Sequence, residues 1–151
     1  MNSAKGKTRI LLDELTARGH PNVLGTHRTT IEITKENFLT KNGNCIIGIM
    51  SSKGVNDFNL ELKKAIQNEE KIEVEMIAGP FKESFIGKGH QDLSLTNSIS
   101  MVFRLSEFIS DRTALISCSK SSIELNRDFI NYLKDSSHEL NVRLYKNKVT
   151  K

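Results

Sequence analysis

Ala17-Arg18-Gly19-His20-Pro21-Asn22-Val23-Leu24-Gly25-Thr26-His27 is answered, seventy residues on, by Gly87-Lys88-Gly89-His90-Gln91-Asp92-Leu93-Ser94-Leu95-Thr96-Asn97. Residues 10–79 and 80–149 therefore read as two copies of one unit, joined at Gly79-Pro80. Working outward from that stretch, residues 9–18 fit a strand or a short helix by pattern alone. The second copy decides for strand, because Lys82-Glu83-Ser84-Phe85-Ile86 lies between Gly-Pro and Gly-Lys-Gly and makes a poor helix. Thr26 to Thr34 is β-branched and alternates, and its counterpart runs from Leu95 to Leu105. The apolar phase of these strands holds Ile31 and Ile33, with His27 and Thr29, in the first copy. In the second it holds Leu95, Ile99, Met101, Phe103 and Leu105.

Asn42-Gly43 and Ser110-Asp111 mark loops. Short apolar strands follow at 45–50 and 113–118, and each leads into a helix. Asn56 reads as the first helix's N-cap, with Val55 and Leu60 as a hydrophobic staple. Ser121-Ser122-Ile123-Glu124 reads as a capping box for the second. A last strand closes each copy at 72–77 and 140–145, with Ile72 and Val142 again seventy apart. The expected fold class is α+β and β-rich. It is an internally duplicated, pseudo-two-fold arrangement of about eight strands with two helices. One domain, 1–151, is expected, since the joint is too short for two independent ones. Closing or nearly closing the strands into a barrel would hide the sheet edges.

Bulk properties bound the function. At 151 residues the chain can bury a core without disulfides or a structural metal. The net charge of +4 divides as +1 up to Gly79 (eleven Lys/Arg, ten Asp/Glu) and +3 beyond it (eleven and eight). Lys146, Lys148 and Lys151 read as a frayed basic tail, which leaves a nearly neutral body and a weak footprint for nucleic acid. Cys45 and Cys118 form no CxxC pair, so a cytoplasmic setting is the default. No apolar run approaches the roughly 18 residues of a membrane span, and no signal peptide precedes the first strand.

A pseudo-two-fold axis brings matching positions together. The pairs of interest are His20/His90, His27/Asn97, Thr26/Thr96, Thr30/Ser100 and Asp13/Glu83. Asp13 and Glu83 share a phase with Leu11/Leu15 and Phe81/Phe85, and an inward carboxylate needs a partner. His27 is one candidate, as a general base with its orienter. A second reading is metal ligation by His20, His27 and His90 with Cys45, although no tight ligand spacing occurs. A third is an anion site at Lys120 and the N–H groups of Ser121 and Ser122, with Arg104 and Arg112 adding to it. Each has a plain structural counterpart: a hydrogen-bonded turn histidine, a strand-end carboxylate, a cap with an ion pair. P-loop, GxGxxG, GxSxG and HExxH motifs are absent.

Ala17-Arg18-Gly19-His20-Pro21-Asn22, Thr26 to Thr34 and Gly43-Asn44-Cys45-Ile46-Ile47-Gly48 resemble a mainly archaeal family called domain of unknown function 371. Gly87-Lys88-Gly89-His90, Arg104-Leu105-Ser106 and Asp111-Arg112-Thr113 extend the likeness over nearly the whole chain. The resemblance implies an archaeal setting and no mechanism. The chain departs from the family pattern at Asn44, where an Asp is usual, and at Gln91 and Asn97, where Pro and a second His are usual. A symmetric two-His site is thereby disfavoured.

The leading expectation is a small-ligand pocket between the two copies. His20, His27, His90, Asp13 and Glu83 are its candidate reactive groups. Thr26, Thr29, Thr30, Lys120 and Arg112 are its candidate ligand contacts. Cofactor, metal and catalytic activity stay open, and no membrane partner is expected. The alternatives are a nucleic-acid-binding barrel using Arg18, Arg28, Lys88 and the tail lysines, and a structural or assembly role.

Overall fold

A computed structural model describes the backbone of residues 7–149. The first half carries β1 (Lys7–Arg18), β2 (Thr30–Thr34), β3 (Ile46–Gly48), α1 (Leu60–Gln67) and β4 (Lys71–Ala78). The second repeats the order with β5 (Phe81–Lys88), β6 (Ser100–Arg104), β7 (Thr113–Leu115), α2 (Arg127–Tyr132) and β8 (Glu139–Val149). Eight strands and two helices were expected, and that is the architecture.

The strands form two four-stranded sheets, ordered β1-β8-β4-β5 and β3-β2-β6-β7. The larger is antiparallel throughout. In the smaller, β2 and β6 are antiparallel while the flanking pairs β2–β3 and β6–β7 are parallel. The sheets stay separate ladders rather than one closed barrel. At two corners a single antiparallel bridge links them, Arg18 to Ile49 and Lys88 to Ile116. Beyond each bridge Ser52 N donates to Thr16 O and Ser119 N to Ile86 O, so the ends of both outer strands are occupied.

The alternation in the sequence sets the core. Ile31, Ile33, Met101 and Phe103 face inward, all at 0 % exposure, and meet Ile72, Val74, Phe85, Val142 and Leu144 from the larger sheet. The Phe85 and Phe103 rings pack edge-on, 5.3 Å apart. The helices contribute Leu62, Ala65 and Ile66, and Phe129 and Ile130.

Several expectations need correction. β2 and β6 begin at Thr30 and Ser100, so the segments before them are loops and His27 does not share the inward phase of Ile31 and Ile33. Ile99, read as inward, is 44 % exposed for the same reason. Leu11 is also outward, at 46 %, because a bulge between Leu11 and Asp13 turns Leu12 inward in its place. Neither proposed helix start is right. Val55–Asp57 and Ser122–Glu124 form short 3-10 turns, the second closed by the Ser121–Glu124 capping box. The helices themselves begin one turn later, with Asn59 and Asn126 at their N-caps. Leu60 is 64 % exposed, so no staple forms with buried Val55. Lys146 and Lys148 belong to β8 rather than to a frayed tail, while Lys151 lies outside the described residues.

The offset between the halves is not constant. It is 70 at the ends of β1 and β5 (Arg18, Lys88) and at the starts of β2 and β6, 67 from β3/β7 into the helices, and 68 at the starts of β4 and β8 (Lys71, Glu139). The loop from β6 to β7 is three residues shorter than that from β2 to β3. Ile72 therefore corresponds to Leu140, not Val142: Gly87 pairs with Ile72 as Ala17 pairs with Leu140. In the smaller sheet Glu32 pairs with its own counterpart, Val102. In the larger, Glu75 pairs with Arg143.

The halves interlock through the Gly-His turns. His20 N donates to Leu133 O at the end of α2, and Gly19 N to His138 O. Across the other half, Gly89 N donates to Glu70 O just past α1. A Cβ on Gly19 would strike the Leu133 carbonyl oxygen, and one on Gly89 the Ile66 carbonyl oxygen. Close backbone approach is therefore what these glycines serve, and neither has the positive φ that a tight turn would have used. Gly19→Ala and Gly89→Ala should each destabilise the fold by about 2–3 kcal/mol in urea titrations, the range for overpacking against an unyielding neighbour. Gly43→Ala, whose Cβ would meet side-chain atoms of Leu39 and Ile46 at 3.1 and 3.2 Å, should be the milder change. Equal losses at all three sites would contradict the crossing contacts.

Candidate functional site

The residues singled out from the sequence fall into separate local arrangements. His20 Nδ1 accepts from Asn22 N at 3.0 Å, and His90 Nδ1 accepts from Asp92 N at 3.0 Å. His27 Nδ1 accepts from Thr29 N at 3.1 Å. At the matching position Asn97 Oδ1 accepts from Ile99 N and Ser100 N. The imidazole and the carboxamide thus meet one demand, an acceptor for the backbone entering the strand. Their carbonyls match too: His27 O accepts from Ile123 N, and Asn97 O from Asn56 N. Thr26 and Thr29 are exposed beside this turn. Among the described residues no three His, Cys, Asp or Glu side chains stand together as a metal site.

Asp13 and Glu83 are buried, at 3 % and 8 % exposure. Asp13 bonds Lys53 Nζ at 2.6 Å and accepts from Asn59 N at 2.7 Å. Glu83 bonds Lys120 Nζ at 2.7 Å and accepts from Asn126 N at 2.5 Å. Each carboxylate joins its strand to the lysine and N-cap residue ahead of the helix. Lys120 is therefore engaged with Glu83, and Ser121 N is taken by Glu124 within the capping box. Arg18 and Lys88 stand exposed at matching ends of β1 and β5, and Arg28 on the loop before β2. Arg18 donates to Ser137 O.

A different group of polar residues gathers where the halves meet. The outer face of the β2–β6 pair carries Thr30, Glu32, Thr34, Ser100, Val102 and Arg104. An outer sheet face is ordinarily wet, yet the first five are buried. Glu32, at the centre, is 7 % exposed. Its contacts are loose: Arg112 Nη1 at 3.4 Å and Cys45 Sγ at 3.4 Å. Arg104 Nε donates to Thr113 Oγ1 at 2.9 Å and its Nη2 to Ser110 Oγ at 3.2 Å. Its guanidinium lies 4.9 Å from the centre of the Phe108 ring. Arg104 makes no ion pair among the described residues.

The electrostatics follow from this shelter. Burial pushes the Cys45 thiol up to about 12, and the Glu32 carboxylate beside it adds to the shift. Burial also lowers the Arg104 pKa from its ordinary value, and Arg112 acts in the same direction. Phe38 and Phe108, seventy apart on the loops after β2 and β6, are 58 % and 62 % exposed. Two clefts lie elsewhere. One of about 260 Å³ is lined by Glu14, Thr16, Ser52, Asn141 and Arg143 over β1 and β8. The other, about 160 Å³, is lined by Leu11, Leu12, Asp13, Glu14 and Asn59.

Of the sequence-derived candidates, Thr30, Ser100 and Arg104 lie on the β2–β6 face, and Arg112 reaches it through Glu32. Glu32 was missed, because alternation places it outward and an outward Glu reads as solvated. Only the path of the loops after β2 and β6 shelters it.

Two measurements check these assignments. His27→Asn should leave stability within about 0.5 kcal/mol, whereas His27→Ala should lose about 1 kcal/mol, as for a lost cap. A larger loss for Asn than for Ala would show that the imidazole has another role. Burial likewise pushes the Cys118 thiol up to about 12. Both thiols should therefore react with a disulfide reagent at pH 8 about a thousandfold more slowly in the native protein than in guanidinium. Fast labelling of either thiol in the folded protein would contradict the shelter.

The family model of a domain of unknown function, DUF371, matches residues 15–147. A protein of Methanocaldococcus jannaschii described as "Uncharacterized protein MJ0206" is 45 % identical over 121 residues, covering 80 % of this chain and 90 % of its own length. Among the described residues no helix is long and apolar enough to cross a membrane.

Proposed function

Since the chain belongs to the DUF371 family, and membership brings no reaction with it, we propose from its geometry that the protein binds a small ligand on the outer face of the β2–β6 pair. The single observation that carries the reading is Glu32. It is a buried carboxylate at the centre of the face, with its nearest cation 3.4 Å away. The other buried carboxylates, Asp13, Glu83 and Glu75, have lysines at 2.6, 2.7 and 3.0 Å. Groups devoted to structure are tightly satisfied, and one that a ligand must reach keeps capacity to spare. Thr30 and Arg104 share its face of the sheet, Arg112 donates to it, and Thr113 holds the Arg104 guanidinium. His20, His27, His90, Asp13, Glu83 and Lys120 have no part in this site. We also read the two halves as copies of one ancestral unit that pack as a single domain, with the ligand where the copies meet.

A small-molecule screen followed by amide chemical shifts tests the reading. Binders should move the resonances of Thr30, Glu32, Val102 and Arg104 saturably, and Glu32→Gln should weaken or abolish their binding. Shifts confined to the cleft over β1 and β8 would place the site elsewhere and sink the proposal.

A further inference from the structure

We infer that the group recognised at this face is a carboxylate of a small organic acid, gripped by Arg104; the inference rests on the ligand-binding reading above. Arg104 has five N–H donors. One is spent on Thr113 and one on Ser110, both hydroxyl acceptors, so that no carboxylate is paired with it and only the through-space pull of Glu32 offsets its charge. Arg112, the second guanidinium here, is directed to Glu32 at 3.4 Å. Cys45 is a neutral thiol at any physiological pH. Asp111 is turned to Asn97, with Asn97 Nδ2 at 3.4 Å from its carboxylate.

With Glu32 matched by Arg112, and with Asp111 and Glu107 exposed to solvent, the sheltered charge left over is the single positive charge of Arg104. That excess is held on a half-buried guanidinium, where solvent screening is weak. A partly desolvated cation lacking a counter-ion is unfavourable by itself and favourable once an anion arrives. A monoanionic carboxylate balances the charge, and its two oxygens fit the guanidinium fork in a bidentate pair. A phosphate dianion would exceed the charge available. Phe108, with its ring centre 4.9 Å from the guanidinium and otherwise open, presents apolar surface to the rest of the acid.

The test uses the whole protein and three probes at equal ionic strength: acetate, inorganic phosphate and chloride. The readouts are the Arg104 Nε–H resonance and the amides of Ser110 and Thr113. Acetate should shift them saturably, phosphate more weakly, and chloride not at all. Arg104→Gln, read at the Ser110 and Thr113 amides, should raise the acetate dissociation constant at least about tenfold, and Arg104→Lys should fall between. Unchanged thermal melting shows that each variant is folded. Should phosphate bind more tightly than acetate, the carboxylate assignment is overturned. Should neutral or cationic compounds move Thr30 and Glu32 while acetate acts no differently from chloride, this inference fails and the ligand-binding reading stands. Should nothing move that face, both fail.

Discussion

A buried carboxylate bridged to a lysine and to the backbone N–H of an N-cap residue is the contact on which the rest of the molecule depends. It occurs twice, as Asp13–Lys53–Asn59 and Glu83–Lys120–Asn126. α1 has eight residues and α2 six, too short to be stable alone. Their position comes from this anchor at one end and from burial of Leu62, Ile66, Phe129 and Ile130 along one side. Such a pair adds little net stability over an apolar replacement, but removing one partner strands a charge, at about 3–5 kcal/mol. Its contribution is specificity: it fixes which turn of chain meets which strand. The second half uses the longer Glu in a regular strand. The first uses the shorter Asp beside a bulge.

With the N-termini of the helices anchored within their own halves, their C-terminal ends cross over. The Gly19-His20 turn receives the end of α2, and Gly89 the end of α1. The first half thus takes up the end carbonyl of α2 at Leu133, and the second half holds the chain just past α1 at Glu70. Together with the paired centres β2–β6 and β4–β8, this leaves little of either half's core that is its own. It also creates the shared outer face at Glu32. A position where a strand pairs with its own counterpart brings side chains from both halves onto one face.

Much of this was legible in the chain. Alternation placed Ile31, Ile33, Met101 and Phe103 inward, and the repeated order of strands and helices was readable once the copies were aligned. The inward phase of Asp13 and Glu83 was readable too. Their partners were not, because Lys53 and Lys120 lie forty and thirty-seven residues away, on loops whose path the pattern does not set. His27 was misplaced for a local reason. Residues 26–29 alternate like a strand, yet the imidazole acceptor at 27 turns the backbone and delays the strand to Thr30. The fixed offset of seventy failed past the shorter loop before β7, since matching at one period cannot follow an offset that falls by three and then rises by one. Glu32 was hidden because shelter by loops is a tertiary property.

The pairing of β1 with β8 joins residues 7 to 18 with residues 149 to 139. β1 is synthesised before β8 and must therefore wait for it. Until then its inward side chains Leu12, Leu15 and Ala17, and the carboxylate of Asp13, have only part of their surroundings. Contacts this distant along the chain also carry a large loop-closure entropy, which slows folding relative to a protein of similar size built from neighbours. The outer strand β1 is paired along its length to a strand that is itself held in the middle of the sheet by β4.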